Sequence, residues 1–167
     1  MNQSTQVSTN HVADESRPIR IVVVSSGWHK PIVDNAVQAI KRHLTDNGIH
    51  AGDLDCFEVP GAFELPLHAR MLAKTGRYDA IIACGFVVDG GIYRHEFVAS
   101  AVIDGLMQVQ LQSDVPVFSA VLTPHNFQEQ EDHINFFARH FVLKGTEVAK
   151  ACLDTVESLR SVARKLA

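Results

Sequence analysis

Apolar positions along this chain fall into two kinds of stretch. Short, nearly unbroken runs occupy residues 19–24, 54–59, 80–84 and 115–122. Runs of that length predict strands buried on both faces. Between them the apolar residues recur at helical spacing. Ile32, Val33, Ala36, Val37, Ile40 and Leu44 predict a first helix, with Gly48 suited to its end. Leu65, Ala69, Leu72 and Ala73 predict a second, ending near Gly76. Phe97, Val98, Ala101, Val102, Leu106 and Val109 predict a third. Asn126 and Glu129 have the form of a helix-capping pair. A final helix carries Val148, Cys152, Thr155, Leu159 and Val162 on one face. No internal repeat is present. Alternating strands and helices predict an α/β fold: a three-layer α/β/α domain around a four-stranded parallel sheet. Four strands are few, so an edge strand is expected to need cover from another subunit or from the N-terminal tail.

Residues 1–17 are polar and aperiodic, which predicts a disordered N-terminal tail ahead of an α/β domain at 18–167. At 167 residues one domain with a substantial core is expected. Fifteen basic against 19 acidic residues give a net charge of −4. That balance argues against a nucleic-acid surface, which needs a basic stripe. No apolar run approaches the roughly 20 residues of a membrane span. The three cysteines, Cys56, Cys84 and Cys152, form no CxxC and sit in apolar runs, so they read as reduced core residues of a cytoplasmic protein.

Open α/β sheets bind ligands at the carboxyl ends of their strands. After the first strand comes Ser25-Ser26-Gly27-Trp28-His29. A lone tryptophan in a solvent-facing loop suits stacking on a planar ligand; burial in a subunit contact is the alternative. After the second strand comes Val59-Pro60-Gly61-Ala62-Phe63-Glu64-Leu65-Pro66. Pro60 fixes a backbone angle, Gly61 turns where a side chain would clash, and Pro66 fits the first turn of a helix. The plainer reading is a loop that only reverses direction. After the third strand, Gly90-Gly91 precedes a helix, and its N–H groups can hold a phosphate. Gly pairs also occur in ordinary turns; Arg94 and His95 at the same helix start strengthen the phosphate reading.

These strand ends, with Gly85-Phe86-Val87-Val88-Asp89-Gly90-Gly91, Tyr93-Arg94-His95-Glu96-Phe97-Val98, Val115-Pro116-Val117 and Lys144-Gly145, occur in the order and spacing of lumazine synthase. The resemblance covers nearly the whole chain beyond the tail and implies a flavodoxin-like fold. It implies condensation of 5-amino-6-(D-ribitylamino)uracil with 3,4-dihydroxy-2-butanone 4-phosphate, losing phosphate and water, without metal or organic cofactor. By position it implies that Trp28 stacks on the pyrimidine and that Ala62, Phe63 and Glu64 line the ribityl chain and ring. Phe86, Val87 and Val88 would hold the pyrimidine edge through backbone groups. Gly91 and Ile92 match the backbone phosphate site. Ser119 and His133 match residues that reach the site of a neighbouring subunit, His133 standing where the family usually has a phosphate-binding arginine.

One departure is chemical. The family's catalytic histidine aligns with Arg94, and His95 is one residue later. One step along a helix rotates a side chain by about 100°, so His95 is expected to point elsewhere. Arginine stays protonated and cannot act as a general base; Arg94 can hold phosphate or polarise a carbonyl. This pattern resembles a divergent second bacterial type of the family. Two other functions remain open on the same scaffold: a lumazine- or flavin-binding protein with little catalysis, and a riboflavin synthase of the homologous archaeal type. A flavodoxin-like electron carrier fits less well, because the loop after the first strand lacks a Ser/Thr-rich phosphate cradle.

His125, His133 and His140 invite a metal reading, but His133 and His140 lie roughly two helical turns apart, and no metal site is expected. The resemblance also implies a homo-oligomer built on pentamers. Residues 135–143 read as a bulky turn between the last two helices, carrying Phe136, Phe137 and Phe141, longer than in shell-forming members. That turn predicts a decamer of two pentamers over a lone pentamer, and blocks a shell.

Overall fold

The computed structural model describes residues 17–91 and 94–166. Strands β1 (Ile21–Ser26), β2 (Leu54–Val59), β3 (Ala80–Phe86) and β4 (Val117–Leu122) form one parallel sheet in the order β2-β1-β3-β4. Helices α1 (Lys30–Asp46), α2 (Leu65–Lys74), α3 (His95–Ser113) and α4 (Glu131–Leu166) cover it. Alternate residues of β1 serve opposite layers. Ile21 and Val23 pack with Val33, Ile40, Phe141 and Cys152 of α1 and α4. Val22 and Val24 pack with Leu65, Ala69, Val102 and Leu106 of α2 and α3. This is the three-layer architecture the alternating pattern predicts. In register, Ser26 lies opposite Val59 and Phe86 opposite Leu122, so the carboxyl ends of the strands finish nearly level.

Four expectations need correction. Strand β2 is an edge strand, and its residues 56–58 are exposed rather than covered on both faces. Cys56 is therefore exposed, not part of the core. Cys84 and Cys152 are buried as predicted. Burial pushes the Cys152 thiol up to about 12 and shifts Cys84 in the same direction, so both stay protonated near neutral pH.

Residues 135–143 form no turn. They belong to the continuous 36-residue helix α4. Phe137 and Phe141 are four residues apart, so they share a helix face. Their rings lie 5.1 and 5.3 Å from that of Phe86. An inter-helix turn therefore cannot set the assembly of this chain.

Asn126 does not open a helix, because α4 starts only at Glu131. Phe127 is drawn into the core beside Phe86, which holds the segment before α4 out of helical geometry. The carboxylates of Glu131 and Asp132 then sit in the first turn, where the helix dipole favours them.

Residues 1–16 of the expected tail lie outside the described residues. Arg17 is anchored: it donates to Asp79 at 2.6 Å, and Arg160 of α4 lies 3.7 Å from the same oxygen. This cluster ties the last turns of α4 to the amino end of the sheet.

Helices α1 and α4 cross at Gly145. A Cβ there would stand 2.5 Å from the Ala36 carbonyl oxygen and 2.9 Å from the Ala39 Cβ. Glycine inside a helix normally costs about 1 kcal/mol relative to alanine. Here the contact with α1 reverses that sign. Gly145→Ala is expected to destabilise the fold by about 1–3 kcal/mol, the usual cost of overpacking. Urea unfolding followed by circular dichroism measures this; a raised midpoint would show that α4 gives way freely.

Candidate active site at the strand ends

The loops after β1 and β2 are joined by main-chain bonds that continue the sheet. The Gly27 N–H donates to the Val59 carbonyl at 2.7 Å, and the Trp28 N–H to the Pro60 carbonyl at 3.2 Å. His29 then turns through a left-handed conformation (φ 54°) into α1. Its ring meets those of Phe86 and Phe127 edge-on at 5.6 and 5.5 Å. Lys30 at the start of α1 pairs with Glu58 of β2, fixing the same junction from outside.

This path lays the Trp28 ring over Gly61. A Cβ on Gly61 would come within 3.0 Å of two ring carbons and 3.1 Å of a Glu64 carboxylate oxygen. Gly61 is extended (φ −136°), so the close approach, not an unusual backbone angle, demands glycine. Its N–H donates to Glu64 Oε2 at 2.8 Å. Ala62–Glu64 form a single 3₁₀ turn that runs directly into α2, with Pro66 in the first turn of that helix. Ala62 is buried beneath this turn, whereas Trp28 and Phe63 are 67% and 62% exposed. Two large rings thus stand open to solvent on adjacent loops.

The third loop contributes mostly backbone. The Phe86 ring is buried in the aromatic cluster with Phe127, Phe137 and Phe141, so its side chain does not face a ligand. Val87 is buried and its N–H donates to the Leu122 carbonyl at 2.9 Å, which removes that donor from any ligand. Val88 is half-buried, and Gly90 and Gly91 are exposed. Ile92 and Tyr93 lie outside the described residues. Arg94 precedes the first turn of α3 and is exposed, its guanidinium carbon 5.5 Å from the Phe97 ring centre. His95 is the first helical residue; its side chain is only 14% exposed, and Nδ1 lies 3.7 Å from the Glu96 carboxylate. The two neighbours therefore occupy different environments, but the cause is not the expected helical rotation: Arg94 is extended and lies just outside α3.

Ser119 and His133 do not join this group. Ser119 is exposed on β4, at the opposite edge of the sheet from β2. His133 accepts the Gln128 N–H at Nδ1 (3.1 Å), so its proton is on Nε2. Its ring lies 6.4 Å from Phe127. Ser119 thus stands at the far sheet edge, and His133 on the outer side of Phe127. A cleft of about 830 Å³ lies at the far, amino-terminal end of the sheet between α1 and α4, lined in part by His43, Asp53 and Arg160. It is remote from every strand-end residue above. His29 and the buried Phe127 are the positions that sequence reading missed: they wall the site from the β4 side. Only the apolar character of Phe127 hinted at this.

Residues 18–160 match the family described as 6,7-dimethyl-8-ribityllumazine synthase. The chain belongs to that family. It is similar to the 6,7-dimethyl-8-ribityllumazine synthase of Rhodococcus erythropolis, with 56% identity covering 90% of this chain and 97% of the relative. It is also similar to proteins named 6,7-dimethyl-8-ribityllumazine synthase 2. One, from Bradyrhizobium diazoefficiens, is 53% identical over 91% of both chains. Another, from Pseudomonas syringae pv. tomato, is 52% identical over 87% of this chain and 85% of the relative. The family resemblance read from the strand-end motifs, and the likeness to a second type, agree with these relatives.

Because Trp28 is exposed, Trp28→Ala is expected to change stability little. Loss of ring stacking is expected to weaken binding of the pyrimidine substrate by on the order of 1 kcal/mol. Titration with the pyrimidine, followed by quenching of the single tryptophan in the parent chain and by calorimetry in the variant, separates the two effects. Equal affinity in both would rule out stacking.

Proposed function

We propose that this enzyme of riboflavin biosynthesis condenses 5-amino-6-(D-ribitylamino)uracil with 3,4-dihydroxy-2-butanone 4-phosphate at this strand-end face. The product is 6,7-dimethyl-8-ribityllumazine, with release of phosphate and water. The observation that carries the reading is the exposed Trp28 ring laid over Gly61, beside the Ala62–Glu64 turn. That face suits a flat pyrimidine with its polar side chain. Gly91 and the exposed Arg94 on the next loop suit the phosphate ester.

The chemistry needs little from the protein beyond orientation. The 5-amino group adds to the ketone and forms an imine, releasing water. A proton leaves the neighbouring carbon as phosphate leaves from the next one. The second amine then closes the ring with loss of another water. Arg94 keeps its charge throughout, so it stabilises the phosphate rather than taking the proton. Proton removal falls to substrate groups or water. A side-chain acid or base typically contributes about 10²–10⁴-fold, so turnover is slower than with a histidine at that position. No metal or organic cofactor enters the scheme. The cytoplasm, where cysteines stay reduced, suits its three unpaired thiols.

The site is completed between subunits in this reading. Leu67 and Met71 of α2, and Phe97, Ile103, Met107 and Leu111 of α3, are exposed on the layer away from α1 and α4. A helix that is apolar on its outer side as well as its inner side is buried in an assembly. A pentameric ring covers this face and brings Ser119 and His133 of one copy to the strand ends of the next. Ile134, Phe136, Val142 and Leu143 on α4 form a second exposed apolar group, which a facing ring covers in a decamer. That surface now supports the decamer in place of the discarded loop argument.

Mixing the chain with both precursors and following lumazine absorbance and fluorescence tests the function. Lumazine supplied alone tests the archaeal-type reaction, and binding without turnover marks a carrier. Arg94→Ala is expected to lose most activity and Arg94→Lys to retain part, with His95→Ala milder. A folded but inactive His95→Ala beside an active Arg94→Ala reverses the assignment. Light scattering is expected to give ten chains per particle; five would remove the role given to the α4 surface.

A further inference from the structure

His29 departs in two ways from a residue that usually opens a helix. Such a residue normally has an extended backbone and a side-chain oxygen that caps the first turn. His29 has a left-handed backbone (φ 54°, ψ 33°), and its side chain makes no capping bond. That conformation crowds Cβ against the following carbonyl oxygen, a penalty glycine escapes. Strain of this kind persists only where the surroundings hold it. The hold is aromatic. The imidazole meets Phe86 at 84° and Phe127 at 78°, and those two rings meet each other at 82° with centres 5.0 Å apart. Phe86 and Phe127 are buried, so the three-ring contact is anchored in the core.

Trp28 lies between this anchor and the sheet. On one side its own N–H donates to the Pro60 carbonyl. On the other, the His29 carbonyl accepts from the Ile32 and Val33 N–H groups at 2.9 and 3.1 Å, which fixes the start of α1. The Trp28 ring is largely exposed, so its own packing does little to hold it.

We propose that His29 is a positioning residue for the stacking ring. Its imidazole, clamped edge-on by Phe86 and Phe127, holds the left-handed turn that keeps Trp28 over Gly61 before the pyrimidine arrives. This rests on the reading of Trp28 as the ring that stacks on the pyrimidine. The clamp acts through Trp28 and touches no substrate. It removes an ordering cost in advance, so it shows in the strength of binding rather than in the rate of the bound complex.

The test follows the single tryptophan in the full assembled chain. His29→Gly accepts the left-handed turn without strain but has no ring to clamp. Time-resolved fluorescence anisotropy is expected to show wider local motion of Trp28. Calorimetry is expected to show affinity for 5-amino-6-(D-ribitylamino)uracil weakened on the order of fivefold. KM for the pyrimidine should rise accordingly, with a much smaller change in kcat. His29→Phe keeps a ring between Phe86 and Phe127 and should recover both the restricted motion and the affinity. Trp28→Ala combined with His29→Gly should bind no more weakly than Trp28→Ala alone, because the clamp works only through the ring. A merely structural His29 lowers the unfolding midpoint of the Gly variant and leaves tryptophan motion unchanged. Should circular dichroism show that His29→Gly fails to fold, His29→Asn replaces it, since asparagine also tolerates the left-handed turn and carries no ring. Parental anisotropy and affinity in the folded variant overturn the proposal. Additive losses in the double variant also overturn it, since they give His29 a substrate contact of its own. A parent chain that binds no pyrimidine sinks the functional reading, while the anisotropy of the folded variants still decides the clamp.

Discussion

The sheet continues for two hydrogen bonds after its first two strands have ended, and the site depends on that extension. The Gly27 and Trp28 N–H groups still donate to Val59 and Pro60 across the β1–β2 pairing. Pro60 has no N–H to return, so the ladder stops there. By then the Trp28 backbone has been placed to within hydrogen-bond tolerance of the second loop. Its ring falls on Gly61, the one residue there with no Cβ to obstruct it. The Gly61 N–H, left out of the sheet, is taken by Glu64, which closes the 3₁₀ turn and aims Phe63 outward. A floppy pair of loops would lose affinity each time it ordered around a ligand. This pair is ordered beforehand, which is where preorganised binding faces gain their strength.

The same rigid edge explains why the face looks incomplete. A ligand pocket is normally concave and encloses most of its occupant. Here the two exposed rings form an open shelf. In the proposed assembly the missing wall comes from a neighbouring subunit docked on the apolar outer faces of α2 and α3. Assembly and catalysis would then share one driving force, since burying Leu67, Met71 and Met107 against a neighbour is what brings a second subunit to the shelf.

Most of the fold was readable from the sequence because it rests on local periodicity. The 3.6-residue spacing of Ile32, Val33, Ala36 and Ile40 leaves little choice, and neither does the run from Ala80. What failed was not local. Strand β2 contains Asp55 and Glu58, yet its exposure follows from being at the sheet edge, a property of topology. The turn expected at residues 135–143 came from family spacing and ran against the local signal. That stretch has no proline or glycine, and Phe137 and Phe141 are four residues apart. In the site, the Gly61 constraint was legible as composition, whereas the identity of the ring pressing on it was not. The rings of Phe86, at the end of β3, and Phe127, in the segment before α4, meet at 5.0 Å, a contact no spacing encodes.

Position Arg94 shows how a shift of one residue becomes a change of chemistry. Arg94 has an extended backbone (φ −74°, ψ 93°) just outside α3, whereas His95 has entered the helix. The step from one to the other crosses the helix boundary, so the two side chains differ in exposure as well as direction. Moving the histidine inward tucks it beside Glu96 and leaves the solvent-facing position to a group that is always charged. In the proposed reading, an anion holder stands where the family resemblance implies a base. That difference favours retention of phosphate, since a guanidinium binds it through paired donors.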